Sequence, residues 1–83
     1  MPTVSVMLFA GLREIVGQRE IDVTLPEGAT VDALRDRIGE DYPMTRAVLP
    51  TVVCAVGEEY VSGDEALREG DRVALIPPVS GGR

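Results

Sequence analysis

The chain has 83 residues, 45% of them apolar and 27% charged, with a net charge of −6. A domain of this size buries roughly 60–65% of the surface its unfolded chain exposes, which leaves little volume for a deep catalytic pocket. The acidic balance disfavours a nucleic-acid or anionic-membrane surface, because both need clustered cations, and no apolar run approaches the ~20 residues that span a bilayer.

Residues 3–9 (TVSVMLF) alternate. Val4, Val6 and Leu8 fall on one face of a predicted strand, with Ser5, Met7 and Phe9 on the other. Residues 10–16 have room for two helical turns, with Leu12, Ile15 and Val16 able to face inward and Gly17 a stop. Residues 19–25 alternate again, with Ile21, Val23 and Leu25 inward, and predict a half-buried strand at or next to an edge. Pro26-Glu27-Gly28 is a turn. Thr30 is placed to cap the next helix, and Asp32 sits in its first turn, where the helix dipole favours an anion.

In that helix Val31, Leu34 and Ile38 form one apolar stripe expected to lie across the sheet. Asp36, Arg37, Glu40 and Asp41 then form its solvated face, rather than a catalytic pair of carboxylates. Tyr42-Pro43 ends it, and residues 44–49 add a helical turn before Pro50. Residues 51–56 predict a third strand, and Gly57-Glu58-Glu59 turns into a short fourth around residues 60–62. Leu67 is expected to plug the core from an irregular turn. Gly70-Asp71 launches the last strand, residues 71–76, with Val73 and Leu75 on one face and Ala74 and Ile76 on the other. The order predicts an α+β domain: one mixed sheet of four to five strands with one main helix packed on a single face.

Beyond that strand the chain reads Pro77-Pro78-Val79-Ser80-Gly81-Gly82-Arg83. Two prolines prevent simple continuation of the strand. The two glycines carry no Cβ and fit spaces closed to other residues. This division predicts a domain over residues 1–76 and an extended tail over 77–83. A stiff base with a slim tip suits insertion into another protein, whereas a solvated, frayed end is the plain alternative.

Residue usage narrows the chemistry further. There is no His, and hence no His-based triad, base or metal ligand. A single Cys permits neither an intrachain disulfide nor a Cys-rich zinc site, and no acidic spacing fits a calcium loop. Cys54, mid-strand among apolar neighbours, reads as a buried small hydrophobe without the cationic, exposed surroundings of a reactive thiolate. Ser5, Ser62 and Ser80 lack a partner base. All eight basic residues are Arg, so a protein modifier of this sequence could not be modified on a lysine of its own. Met7, Phe9 and Ile76 fall on the sheet face away from the helix, where a contiguous exposed apolar patch would mark an interface. Coverage by neighbouring irregular segments is the alternative. With no signal-like N-terminus, the expected location is cytoplasmic.

Four segments, spread over the whole chain, carry a resemblance to a known family. They are Phe9-Ala10-Gly11-Leu12-Arg13-Glu14, Leu25-Pro26-Glu27-Gly28-Ala29-Thr30-Val31, Ala55-Val56, and above all the run from Gly70-Asp71 through Pro77-Pro78 to Gly81-Gly82. The sequence resembles the molybdopterin synthase small-subunit family among the sulfur carriers of the β-grasp, ubiquitin-like superfamily.

The resemblance implies a β-grasp fold and makes Gly82 the working residue. An ATP-dependent, E1-like adenylating enzyme would activate its carboxylate, and sulfur would replace one oxygen to give a thiocarboxylate. The tail, Gly81 included, would then enter the active site of a molybdopterin synthase large subunit. There it would donate sulfur to a cyclic pyranopterin monophosphate, forming the dithiolene of molybdenum cofactor biosynthesis. Catalysis would lie in the partner, ATP would be used by the activating enzyme, and no cofactor or metal would be bound by this chain.

Partner contacts would come from Met7, Phe9, Ile76, Pro77, Pro78, Val79 and Ser80, in a hetero-oligomer without nucleic acid or membrane. The family's common Asn is replaced by Gly57, a change expected to affect only the turn. Arg83 is a larger departure, since with it attached the Gly82 carbonyl is an amide. It must be removed by a peptidase or be left over from a longer fusion, or the chain is inactive as written. The rival expectations are a ubiquitin-like protein modifier or a tRNA-thiolation carrier with the same tail, and a plain interaction domain.

Overall fold

The computed structural model describes residues 1–78, and the expectations placed on Val79, Ser80, Gly81, Gly82 and Arg83 lie outside the described residues. Alternating β-branched and apolar residues form β1 (Thr3–Leu8) and β2 (Glu20–Thr24), joined through α1 (Ala10–Val16). After α2 (Val31–Asp41) come two 3₁₀ turns, Pro43–Ala47 and Leu49–Thr51, then β3 (Val53–Val56), β4 (Glu59–Val61) and β5 (Arg72–Ile76). The sheet order is β2-β1-β5-β3-β4. The first and last strands lie parallel at its centre, Val6 beside Val73 and Leu8 beside Leu75, while the other pairings are antiparallel. This is a β-grasp sheet.

One face of the sheet is the core. Val4, Val6 and Leu8 from β1, Ile21 and Val23 from β2, Cys54 from β3 and Val73 and Leu75 from β5 meet Val31, Leu34 and Ile38 of α2. The predicted stripe on α2 is buried, and Leu67 closes the cluster from its loop. Leu12 is the buried residue of α1. Ile15, expected inward, is instead 38% exposed. A two-turn helix offers one inward stripe, and with Leu12 and Val16 on it, Ile15 falls to the flank.

Local signals fix the ends of α2. The Thr30 hydroxyl accepts from the Ala33 amide at 3.3 Å. Two further first-turn amides are satisfied from a distant loop, Val31 donating to the Glu65 carbonyl at 3.0 Å and Asp32 to the Gly63 carbonyl at 2.9 Å. The start of α2 is thereby tied to residues 63–67, an attachment reinforced by the amide of Leu67 donating to the carbonyl of Ala29.

The third strand begins two residues later than expected. Residues 49–51 form a 3₁₀ turn at Pro50, and the half-buried Arg35 side chain holds the segment. Its Nη1 donates to the Leu49 carbonyl at 3.2 Å and its Nη2 to the Val52 carbonyl at 3.0 Å. Carbonyls engaged by a guanidinium are withdrawn from the sheet ladder. The β3–β4 hairpin turns on Gly57 and Glu58, both at positive φ (56° and 72°), as the two-residue turn matching strand twist requires. Among the described residues, no helix is long and apolar enough to cross a membrane.

Candidate open-face interface

Among the described residues, no element packs on the sheet face opposite α2. Register decides what it displays. Met7 pairs with Ala74, Ala74 with Ala55, and Ala55 with Tyr60, giving one row of side chains across four strands. In the adjacent row Ile76 pairs with Val53, and Phe9 follows β1 at the same end. Phe9 is 42% exposed, Val53 46% and Tyr60 75%, while Met7, Ala74 and Ile76 are half-buried. The loops leave this patch open. It reaches the point where the chain leaves the sheet, because Ile76, one of its members, is the last residue of β5.

Phe9 owes its place to an unusual backbone. Ala10 follows it at φ 50°, in the left-handed region that a non-glycine residue enters at a cost of roughly 1–2 kcal/mol. That single residue turns the chain from β1 into α1, with Phe9 itself still extended. On the same face Arg72 crosses to β1, its Nη2 lying 3.6 Å from the Met7 sulfur. Arg72, Met7, Ala55, Gly57, Glu58 and Ala74 line a shallow depression of about 420 Å³. Acidic side chains flank the patch, Glu20 and Asp22 from β2 on one side and Glu58 of the β3–β4 turn on the other. All three are exposed.

The predicted Met7, Phe9 and Ile76 are thus brought together, beside the exposed Pro78 and the half-buried Pro77. Val53 and Tyr60 were missed. In residues 52–56 every side chain is apolar, so alternation could not choose a face for Val53, and a three-residue strand is too short to show a period around Tyr60. Only the pairing with β5 places them.

Cys54 points into the core at 1% exposure. One expectation about it needs correction. Its surroundings do include a cation, the Arg35 guanidinium, whose charge acts to lower the thiol pKa. Burial nevertheless outweighs the guanidinium and pushes the thiol pKa up, so the group stays protonated and enclosed. No cluster of potential metal ligands occurs among the described residues.

The ThiS family profile matches residues 6–82. A curated relative, the molybdopterin synthase sulfur carrier subunit of Chlamydomonas reinhardtii, is 41% identical over 95% of this chain and 98% of its own. Among solved structures, a putative molybdopterin converting factor subunit 1 from Pyrococcus furiosus superposes with a TM-score of 0.88 at 34% identity, covering 95% of this chain and all of its own. The small archaeal modifier protein 1 of Haloferax volcanii gives 0.87 at 28% identity, covering 95% of this chain and 100% of its own.

Proposed function

The chain belongs to the ThiS family, and from that premise we propose that it is the sulfur-carrying small subunit of a molybdopterin synthase. The observation that carries the reading is the run from Gly70 to Gly82. Its first part is the central strand β5, locked between β1 and β3. The strand stops at Ile76, and two prolines, Val79, Ser80 and two glycines follow. The rigid part is a platform, and the reactive atom is the Gly82 carbonyl carbon.

The chemistry follows from the peptide. Hydrolysis of the Gly82–Arg83 bond frees a carboxylate. A carboxylate oxygen is a poor leaving group at neutral pH, so activation comes first: the carboxylate attacks the α-phosphorus of ATP and releases pyrophosphate. A sulfide-level nucleophile then attacks the acyl-adenylate carbon, AMP departs, and a thiocarboxylate remains. Glycine leaves that carbon unhindered. An E1-like enzyme supplies the adenylation, and the large subunit supplies the pterin site into which the tail delivers sulfur. The apolar strip of Met7, Phe9, Val53, Tyr60 and Ile76 seats these partners, and Pro77, Pro78, Val79 and Ser80 supply further partner contacts next to Gly81 and Gly82 in the chain. Its acidic flanks favour a partner with a basic rim. These residue roles rest on position and chemistry.

A second reading, conjugation to other proteins, is favoured by the likeness to the small archaeal modifier protein. Both readings share the activation step. Intact mass after coexpression with an ATP-dependent activating enzyme tests them together. Loss of Arg83 followed by exchange of one oxygen for sulfur is expected; retention of Arg83 without ATP turnover sinks both. Purification with a larger pterin-binding subunit supports the first, and isopeptide adducts on target lysines the second. Gly82→Ala should fold normally yet lose transfer.

A further inference from the structure

All eight basic residues are arginine, and lysine is absent. Guanidinium geometry explains some of these positions. Arg35 donates to two carbonyls through its two terminal nitrogens, Arg46 to the Gly39 carbonyl through Nε, and Arg37 pairs with Asp41 at 3.0 Å through Nε. Arg72 reaches the Met7 sulfur. Arg13, Arg19 and Arg68 are different. They are exposed, and their guanidinium groups hold no hydrogen bond or ion pair among the described residues. As solvated surface cations, lysines would serve there equally well.

Two of the three lie near the chain's exit from the sheet. The Arg19 carbonyl accepts from the Leu8 amide at 2.8 Å, and Leu8 pairs with Leu75 next to the last residue of β5. Arg13 sits in α1, which follows directly on the same end of β1. Arg68 lies at the opposite end, where Gly70 donates to the Thr3 carbonyl. The six residues from Pro77 to Gly82 span at most about 20 Å, so groups at the exit end fall in range of an activated Gly82.

We infer that the lysine-free surface is a specificity device that keeps the activated Gly82 acyl group from capture by amines of this chain or of a second copy. The inference rests on the proposed activation of Gly82. A guanidinium stays protonated at any working pH and is no nucleophile. A lysine with pKa near 10.4 is unprotonated in about 0.4% of molecules at pH 8. Held on the same domain, at an effective concentration of the order of millimolar, that fraction suffices to react. The ε-amine would attack the Gly82 carbonyl carbon, and AMP would leave from the acyl-adenylate, as the alkyl thiolate would from a thioester. An amide would form with loss of one proton, and the acyl group would be lost to sulfur transfer. The α-amine of Met1 lies at the far end of β1, 2.8 Å from Glu27 in an ion pair.

The test needs no activating enzyme. Residues 1–82 are prepared as a C-terminal alkyl thioester by intein cleavage and incubated at pH 8, in native form, as Arg13→Lys/Arg19→Lys, and as Arg68→Lys. Circular dichroism checks that all are folded. Intact mass and peptide mapping should show cyclised or self-linked chains, joined at the new lysines, forming about tenfold faster than any linked product of the native chain. Linkage by either variant supports the inference. It is overturned if both variants only hydrolyse at the native rate, or if the native chain self-links as fast through Met1. Because the thioester is made chemically, neither failure touches the sulfur-carrier reading, which stands or falls on ATP-dependent activation.

Discussion

The Cys54 thiol shows how a single residue's neighbourhood sets its chemistry. Burial raises its pKa despite the adjacent Arg35. Above the ordinary thiol value of about 8.5, the unfolded chain has released a proton that the folded chain still holds. Stability is therefore full below that pH and declines as pH rises toward the folded pKa. Urea midpoints between pH 8 and 10 should fall more steeply for the native protein than for Cys54→Ala, and native-state alkylation should be slow. Equal slopes would show that the thiol contributes nothing. Gly63 is a second case. A Cβ there would overlap the Asp32 carboxylate, at the point where the Asp32 amide binds the Gly63 carbonyl. Gly63→Ala should cost about 1–3 kcal/mol, and Asp32→Ala in the same chain should recover part of it in a double-mutant cycle.

At the scale of elements, Arg35 joins α2 to the segment entering β3. It is a staple made of two hydrogen bonds, and it determines where the 3₁₀ turn yields to strand. Arg35→Met keeps the apolar stem and removes both donors. It should destabilise by about 1–3 kcal/mol and speed amide exchange at Val53 and Cys54. Arg35→Lys should restore little, because an ammonium lacks the planar fork that reaches two carbonyls together. Unchanged exchange in the Met variant would contradict the staple. The β3–β4 turn offers a milder test. Glu58 sits at φ 72°, so Glu58→Gly should be neutral or stabilising by up to about 1 kcal/mol, read from thermal unfolding.

For the molecule as a whole, the two faces of the sheet have separate duties. One is sealed by α2 and carries stability; the other shows Phe9, Val53 and Tyr60 to solvent. Phe9→Asp and Val53→Asp should alter folding stability little, within about 0.5 kcal/mol. Each should weaken association with the proposed large-subunit partner tenfold or more, equivalent to about 1.4 kcal/mol, by titration calorimetry. A variant that binds as tightly as the native chain would overturn the proposed interface. Raised salt should slow association if the acidic flanks guide it.

Alternation in residues 3–9 and 19–25, the Val31–Leu34–Ile38 stripe and the Thr30 cap are local patterns, and they alone determined β1, β2, the main helix and which side of these elements is core. The Gly70–Gly82 run likewise carried the resemblance to the family whose profile matches residues 6–82. Registers between strands distant in sequence are not local. The parallel pairing of β1 with β5 and the antiparallel pairing of β5 with β3 place Val53 and Tyr60 beside Met7 and Ile76. The late start of β3 depends on Arg35, fourteen residues from Leu49 in the chain. Such contacts are chosen by which arrangement buries the most apolar surface with every carbonyl satisfied. That choice exists only once the whole chain has folded.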